Sequence, residues 1–253
     1  SCDVIEIPNE TLKNFVGGSG LGTWLLLEHC PKGVDPLAPE SPLIFAFSPL
    51  VGSPLTTSAK FAVLSKSPLT QRINDSLSSS GFAISGKKCG YDAIMIVGAA
   101  DSPTCIAVDD STVCFESADD AWGTSSSNAE QILSKRLGKG FRIAAIGPAG
   151  EKLVRYATVS HDGRHAGRGG LGAVMGSKML KAIAVRGTQQ TPFAFPDELI
   201  SYSREVSKKS FGPATEKYRE LGTVSNLLTF NRLGTLPTHN FQVGSVDKAE
   251  QLS

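Results

Sequence analysis

The sequence predicts an α+β protein in which a β-rich first part, residues 1–190, is followed by the start of a helical unit, residues 191–253. Apolar runs of strand length recur up to about residue 187, and prolines and glycines punctuate them. Beyond Thr188 the pattern changes to helix openings.

The elements follow in order. After an extended start at Val4 to Ile7, Thr11 is a candidate cap for a helical stretch over Asn9 to His29. The run Gly17-Gly18-Ser19-Gly20-Leu21-Gly22 divides that stretch into two helices, the second around Trp24 to Glu28. Pro36, Pro42, Pro49, Pro54 and Pro68 then bracket Leu43 to Phe47 and Phe61 to Ser65, each too short for a buried helix. Ser76-Leu77-Ser78-Ser79-Ser80-Gly81 reads as a hydroxyl-rich loop that either donates to an anion or crosses the surface.

Strands continue at Tyr91 to Gly98, Thr104 to Val108 and Thr112 to Glu116, with Asp109-Asp110-Ser111 as the turn between the last two. Asn128 to Leu137 has the period of an amphipathic helix. Arg142 to Ile146 leads into a turn at Gly147-Pro148-Ala149-Gly150, followed by strands at Val154 to Ser160 and Leu180 to Arg186. Phe195-Pro196-Asp197-Glu198 opens a helix, and Ser210-Phe211-Gly212-Pro213 separates it from another through Thr215 to Leu221. So short a helical stretch, ending in the polar Asp247 to Gln251, does not complete a core by itself and is expected to begin something longer.

Composition narrows the function classes. The chain has 253 residues, is 40% hydrophobic and carries 25 basic against 24 acidic side chains, so no global field recruits nucleic acid or anionic lipid. No apolar run approaches the roughly 18 residues of a membrane span, and Ser1-Cys2-Asp3 does not open a signal peptide, so a cytoplasmic location is expected. The five cysteines are spread without a C-x-x-C pair, which argues against a disulfide framework or a self-contained metal knot.

Chemistry is most legible at Arg164-His165-Ala166-Gly167-Arg168-Gly169-Gly170-Leu171-Gly172-Ala173-Val174-Met175-Gly176-Ser177-Lys178. Glycines let backbone N–H groups come close to phosphate, and interleaved cations add charge-assisted bonds. The Gly17 to Gly22 run is a weak dinucleotide fingerprint, because it follows a helical stretch and its spacing is G-G-x-G-x-G. His29, His161, His165 and His239 lack the spacing of a helical zinc site and are assigned ordinary polar roles. No G-x-S-x-G elbow appears.

Several segments, taken in order, resemble the aldehyde:ferredoxin oxidoreductase family. They are Asn14 to Gly22, Gly33-Val34-Asp35-Pro36-Leu37, Ser67-Pro68-Leu69-Thr70, Gly90-Tyr91-Asp92-Ala93-Ile94, Ile146 to Glu151 and Ala166 to Ala184. The similarity continues into Gly222-Thr223 and Gly234 to Phe241 and so covers essentially the whole chain. The resemblance implies a β-rich domain of two mixed sheets with flanking helices, forming a base under tungsten or molybdenum held by two pterin dithiolenes. Helical domains would close over it and supply a C-x-x-C-x-x-x-C motif for a 4Fe-4S cluster, together with the acid/base residues.

The same resemblance implies an enzyme that oxidises a small aldehyde to its carboxylic acid and passes the electrons to ferredoxin. No catalytic side chain is expected within this stretch. It ends before the cysteine motif and lacks the family's usual opening strand, so it reads as a fragment that does not turn over alone and whose uncovered apolar floor favours self-association. Two readings stand beside this one: a non-catalytic pterin-binding or scaffold subunit, and a tungsten enzyme of the family acting on an aromatic thioester.

Carried over residue by residue, the family's cofactor contacts fall on Lys60, Ser76, Leu77, Ser78, Arg168, Gly169, Gly170 and Gly172. Lys60 stands where the family has an arginine and loses the planar fork, whereas Arg168 is retained. The family's phosphate-bridging magnesium would be held at Leu77 and at the backbone carbonyl of Gly169. Leucine has no oxygen to offer it, and Asn74 is the nearest residue of the right chemistry.

Overall fold

Five consecutive apolar residues form β1 (Leu43–Phe47), and all five are buried because the strand is covered on both faces. The computed structural model, which describes residues 1–252, places β1 inside a four-stranded sheet with β2 (Lys60–Lys66), β3 (Ile73–Ser79) and β4 (Ala93–Ile96). The order is β3-β2-β1-β4, and every pairing is antiparallel.

One face of this sheet is covered by α1 (Asn9–Phe15) and α2 (Gly18–His29). Leu21, Leu25 and Leu26 pack there on Ile44, Ala46, Ala62 and Leu64. The helical break is narrower than the glycine run suggests: it lies at Val16 and Gly17, and α2 continues through Gly20 and Gly22. Gly22 lies against β2, where a Cβ would stand 2.2 Å from Leu64 Cδ1, so this glycine serves close packing instead of interruption. Thr11 is not the cap, because α1 begins at Asn9, directly after Pro8.

The other face carries Phe45, Phe47, Phe61 and Val63, which meet Phe82 of α3 (Gly81–Lys88). The second sheet closes the same core. It comprises β5 (Thr104–Asp109), β6 (Thr112–Ser117), β7 (Arg142–Ala145), β8 (Val159–His161), β9 (Arg164–Ala166) and β10 (Leu180–Arg186). Its order is β6-β5-β10-β7-β8-β9, with β10 parallel to β5 and the remaining pairs antiparallel.

Helix α4 (Ser126–Leu137) packs Ala129 and Leu133 on the outer side of this sheet, against Cys105, Ile143, Ala145, Ala182 and Ala184. The small residues of β7 and β10 let the helix approach closely. The Gly147 to Gly150 turn is one helical turn, α5 (Pro148–Glu151), which leans on α6 (Leu171–Ser177). Beneath them Lys181 is fully buried, donating to the Thr124 carbonyl at 3.0 Å and pairing with Glu151, which also accepts from Gly123 N.

The chain divides into two compact units, Ser1–Ala194 and the part from Phe195 onward. The second holds α7 (Pro196–Ser210), α8 (Pro213–Leu221) and α9 (Leu227–Arg232), the last two joined by a 3-10 turn at Gly222–Asn226. Asn231 ties it together by donating to the Val246 carbonyl and accepting from its N–H. Phe211, Tyr218, Leu221 and Phe241 of this unit are exposed. No described helix is long and apolar enough to cross a membrane.

Candidate cofactor-binding site

Alternation along β3 decides which of its side chains meet the Arg168 loop. Asn74, Ser76 and Ser78 stand opposite Ser65, Val63 and Phe61 of β2 and therefore share the inner face. From there Asn74 Nδ2 donates to the Arg168 carbonyl at 3.2 Å, and Ser76 Oγ accepts from Arg168 N at 3.0 Å. Ser78 Oγ donates to the His165 carbonyl at 3.3 Å, and Ser67 Oγ to the Gly169 carbonyl at 2.7 Å. Four side chains thus hold the backbone of residues 165–169. The hydroxyl-rich stretch is a strand up to Ser79, not a surface loop; its serines suit a strand because their hydroxyls face a backbone that needs partners.

The glycines complete the seat. Gly169 and Gly170 both have positive φ, +75° and +76°, a conformation that other residues adopt only with strain. A Cβ on Gly170 would lie 1.9 Å from the Arg155 carbonyl oxygen, one on Gly169 2.1 Å from Asn74 Cγ, and one on Gly172 2.5 Å from the Thr158 oxygen. Gly170 and Gly172 bring the loop and α6 against backbone carbonyls, and Gly169 brings it against the Asn74 side chain.

What remains free is charge. The Arg168 side chain is exposed and makes no ion pair, hydrogen bond or ring contact among the described residues. Lys178, the third cation of that glycine-rich segment, is spent on structure: it is buried and donates to the carbonyls of Pro39 at 2.8 Å and Gly98 at 3.1 Å. Burial pushes its amino group down to about 8.

Lys60 and Leu77 lie elsewhere. Lys60 pairs with Ser79 and Leu77 with Ala62, which puts both on the side of the sheet that α2 covers. Both are exposed, and Leu77 retains 64% of its surface. The structure bonds Ser76 to Arg168, ties Ser78 and Gly169 to the same loop through His165 and Ser67, and holds Lys60 and Leu77 across β2 and β3 from that cluster.

The unpartnered Arg168 guanidinium fits an anionic, phosphate-bearing pterin, whereas Lys60 lies on the other face of the sheet and is not brought to the same spot. For a bridging magnesium the donors present are fewer than the resemblance implies, although Asn74 lies against Gly169. The Leu77 side chain has no oxygen, one lone pair of the Gly169 carbonyl accepts from Ser67, and no group of three His, Cys, Asp or Glu side chains is arranged for a metal among the described residues.

One residue escaped sequence reasoning. His161, in β8, is fully buried, with Nε2 2.7 Å from Ser78 Oγ and Nδ1 2.7 Å from Ser80 Oγ. Phe61 packs edge-on to its ring, with centroids 4.8 Å apart. Burial drives its imidazole down to about 4, so it is neutral at ordinary pH. Only the alternation of Asn74, Ser76, Ser78 and Ser80 hinted at a polar face that needed such a partner.

Comparison with known proteins completes the site. Residues 1–187 match the model of the aldehyde ferredoxin oxidoreductase N-terminal domain. The tungsten-containing aldehyde ferredoxin oxidoreductase of Pyrococcus furiosus is 40% identical over 248 residues, 95% of this chain and 40% of that protein. Its counterpart in Thermococcus kodakarensis is 38% identical over 99% of this chain and 42% of that protein. The WOR-like subunit of an aliphatic sulfonate oxidoreductase from Pyrococcus furiosus is 34% identical over 87% of this chain and 37% of that protein. Among solved structures, the active-site complex BamBC of benzoyl coenzyme A reductase with 1,5-dienoyl-CoA superposes with a TM-score of 0.78 at 33% identity, covering 81% of this chain and 31% of that one. The chain spans about two fifths of the length of the relatives it matches. By these matches and by its two sheets with flanking helices, the chain belongs to the aldehyde ferredoxin oxidoreductase family and carries that family's N-terminal domain.

Proposed function

We propose that this chain is the cofactor-cradling part of an oxidoreductase that converts aldehydes to carboxylic acids, with residues 1–190 forming the cradle and 191–253 beginning a helical domain. The observation that carries the reading is Arg168, a guanidinium without a protein partner on a loop that Ser67, Asn74, Ser76 and Ser78 hold in place. Arg168 would engage the phosphate or carbonyl of a tungsten- or molybdenum-bis-pterin through its planar fork, and Lys60 would add a point charge from the other face of the sheet. Gly169, Gly170 and Gly172 would contribute by keeping the loop seated. Ser76 and Ser78 would do the same from β3.

The bound metallopterin supplies a two-electron oxidation in which an aldehyde and water give a carboxylic acid, two protons and two electrons. In the intact cytoplasmic protein a 4Fe-4S cluster outside this chain would pass the electrons singly to ferredoxin. The full-length protein, matured in cells given both tungstate and molybdate, is expected to carry stoichiometric tungsten or molybdenum and to reduce ferredoxin with a short aldehyde.

Leu77 and Lys60 favour a second reading, a subunit that binds pterin or scaffolds a complex without chemistry; full-length protein free of both metals after such maturation would decide for it. The likeness to the benzoyl coenzyme A reductase component favours a third, the same cofactor acting on an aromatic thioester. Metal-loaded protein that leaves aldehydes untouched and turns over an aromatic thioester would decide for that one.

A further inference from the structure

We propose that His161 is a positioning residue: held as the Nε2–H tautomer between Ser78 and Ser80, it locks the β8–β9 hairpin onto β3 and α3 and so determines where the loop presents Arg168. The functional meaning of that position rests on the proposed role of Arg168; the lock itself does not.

Hydrogen-bond accounting selects the tautomer. With the Ser78 Oγ proton on the His165 carbonyl, 3.3 Å away, Ser78 accepts in its 2.7 Å contact with His161, and Nε2 is the donor. Nδ1 is then an acceptor, and the only proton within reach is that of Ser80 Oγ at 2.7 Å. Ser80 Oγ in turn accepts from Phe82 N at 3.1 Å as the N-cap of α3. Each hydroxyl proton between Ser80 and His165 then has one acceptor, while the Phe82 N–H is shared between Ser80 Oγ and Asp162 Oδ2. The opposite tautomer would take the Ser78 proton away from the His165 carbonyl and leave that of half-buried Ser80 without a partner in the protein, beside a fully buried ring.

The neighbouring contacts act in the same direction. Asp162, the next residue, accepts from Phe82 N at 2.9 Å and from Arg142 Nη1 at 3.2 Å, and the His161 ring rests on Phe61. The hairpin is therefore fixed at its turn by Asp162 and along its first strand by His161. Its second strand runs into Gly167 and Arg168. Ser78 is the shared element, since the hydroxyl that receives the His161 proton is the one that holds the His165 carbonyl.

The test needs no bound cofactor. In protein labelled with ¹⁵N-histidine, near-neutral pH should show one imidazole with a pyrrole-type Nε2, a pyridine-type Nδ1 and a slowly exchanging Nε2–H, and His161→Gln should remove those signals. An Nδ1–H form, a rapidly averaged pair or a protonated ring at that pH would overturn the proposal. Hydrogen exchange supplies the positional readout through the Arg168 amide, which donates to Ser76.

His161→Asn keeps an acceptor towards Ser80 but no donor towards Ser78, and is expected to speed exchange of the Arg168 amide about tenfold while the amides of β10 stay unchanged. His161→Gln, which restores a donor at the Nε2 position, should return the rate to within about threefold of the parent. Ser80→Ala, a smaller change, should shift the tautomer balance and speed the Arg168 amide without unfolding the chain. Equal acceleration at Arg168 and β10 in all three variants would mean a merely structural role and would sink the proposal. Loss of metallopterin in Arg168→Ala reports separately on the function of that side chain, so the two ideas fail independently.

Discussion

The two faces of β3 differ in how much of their chemistry is already committed. On the inner face Asn74, Ser76 and Ser78 are bonded to the backbone of residues 165–168, His161 joins them, and Gly170 closes the seat. On the outer face the side chains of Lys60 and Leu77 stand exposed without polar partners among the described residues. The inner face builds the loop, and what the loop offers outward is one guanidinium. Of the departures that the resemblance implies, Lys60 and Leu77 lie on the outer face, where change costs the fold little. The retained Arg168 sits on the side where the fold depends on its backbone.

Substitutions should separate the faces by size of effect. Glu151→Ala strips the buried Lys181 beneath α5 and α6 of its carboxylate and is expected to cost about 3–5 kcal/mol in chemical denaturation. Gly170→Ala forces a side chain onto the Arg155 carbonyl at a positive φ; it should cost about 2–4 kcal/mol, read as a lower denaturation midpoint. A cost below about 1 kcal/mol for either would mean the loop is less firmly seated than its contacts imply.

Acid should loosen the inner face next. The His161 ring in the folded chain titrates near 4, against 6.5 when unperturbed, so between those values the unfolded chain binds the extra proton. Stability tied to this residue is fully present above about pH 6.5 and is lost as pH falls towards 4, at roughly 1.4 kcal/mol per unit. His161→Gln should flatten that slope relative to the parent; an unchanged slope would assign the acid sensitivity to other groups. Smallest of all, Leu77→Asn and Lys60→Ala should each move stability by no more than about 0.5 kcal/mol.

Legibility in the sequence followed the same division. β1 ends where the apolar run ends, and α4, β5, β6 and β10 lie within a residue or two of their patterns, because burial of apolar side chains writes itself as periodicity. Helix α3 and strand β3 were hidden, since Ser76 to Ser80 lack strand-forming side chains and Gly81 with Gly86 dilutes the helical signal. Arg168 stood out for its glycine surroundings, yet Gly169, Gly170 and Gly172 meet the protein itself, a distinction that only three-dimensional contacts supply. His161 was invisible as a lock because its partners lie 83 and 81 residues away in sequence.

The central claim is that the seated loop exists to present Arg168 to a metallopterin. Tungsten and molybdenum content should be measured in the full-length protein and in its Arg168→Ala variant, both matured with the two metals supplied. The claim predicts stoichiometric metal in the parent and at least a tenfold loss in a variant that denatures at an unchanged midpoint, in line with a charge-assisted contact worth about 1.5–3 kcal/mol. Parent protein without either metal, or a variant that retains the full complement, would contradict it.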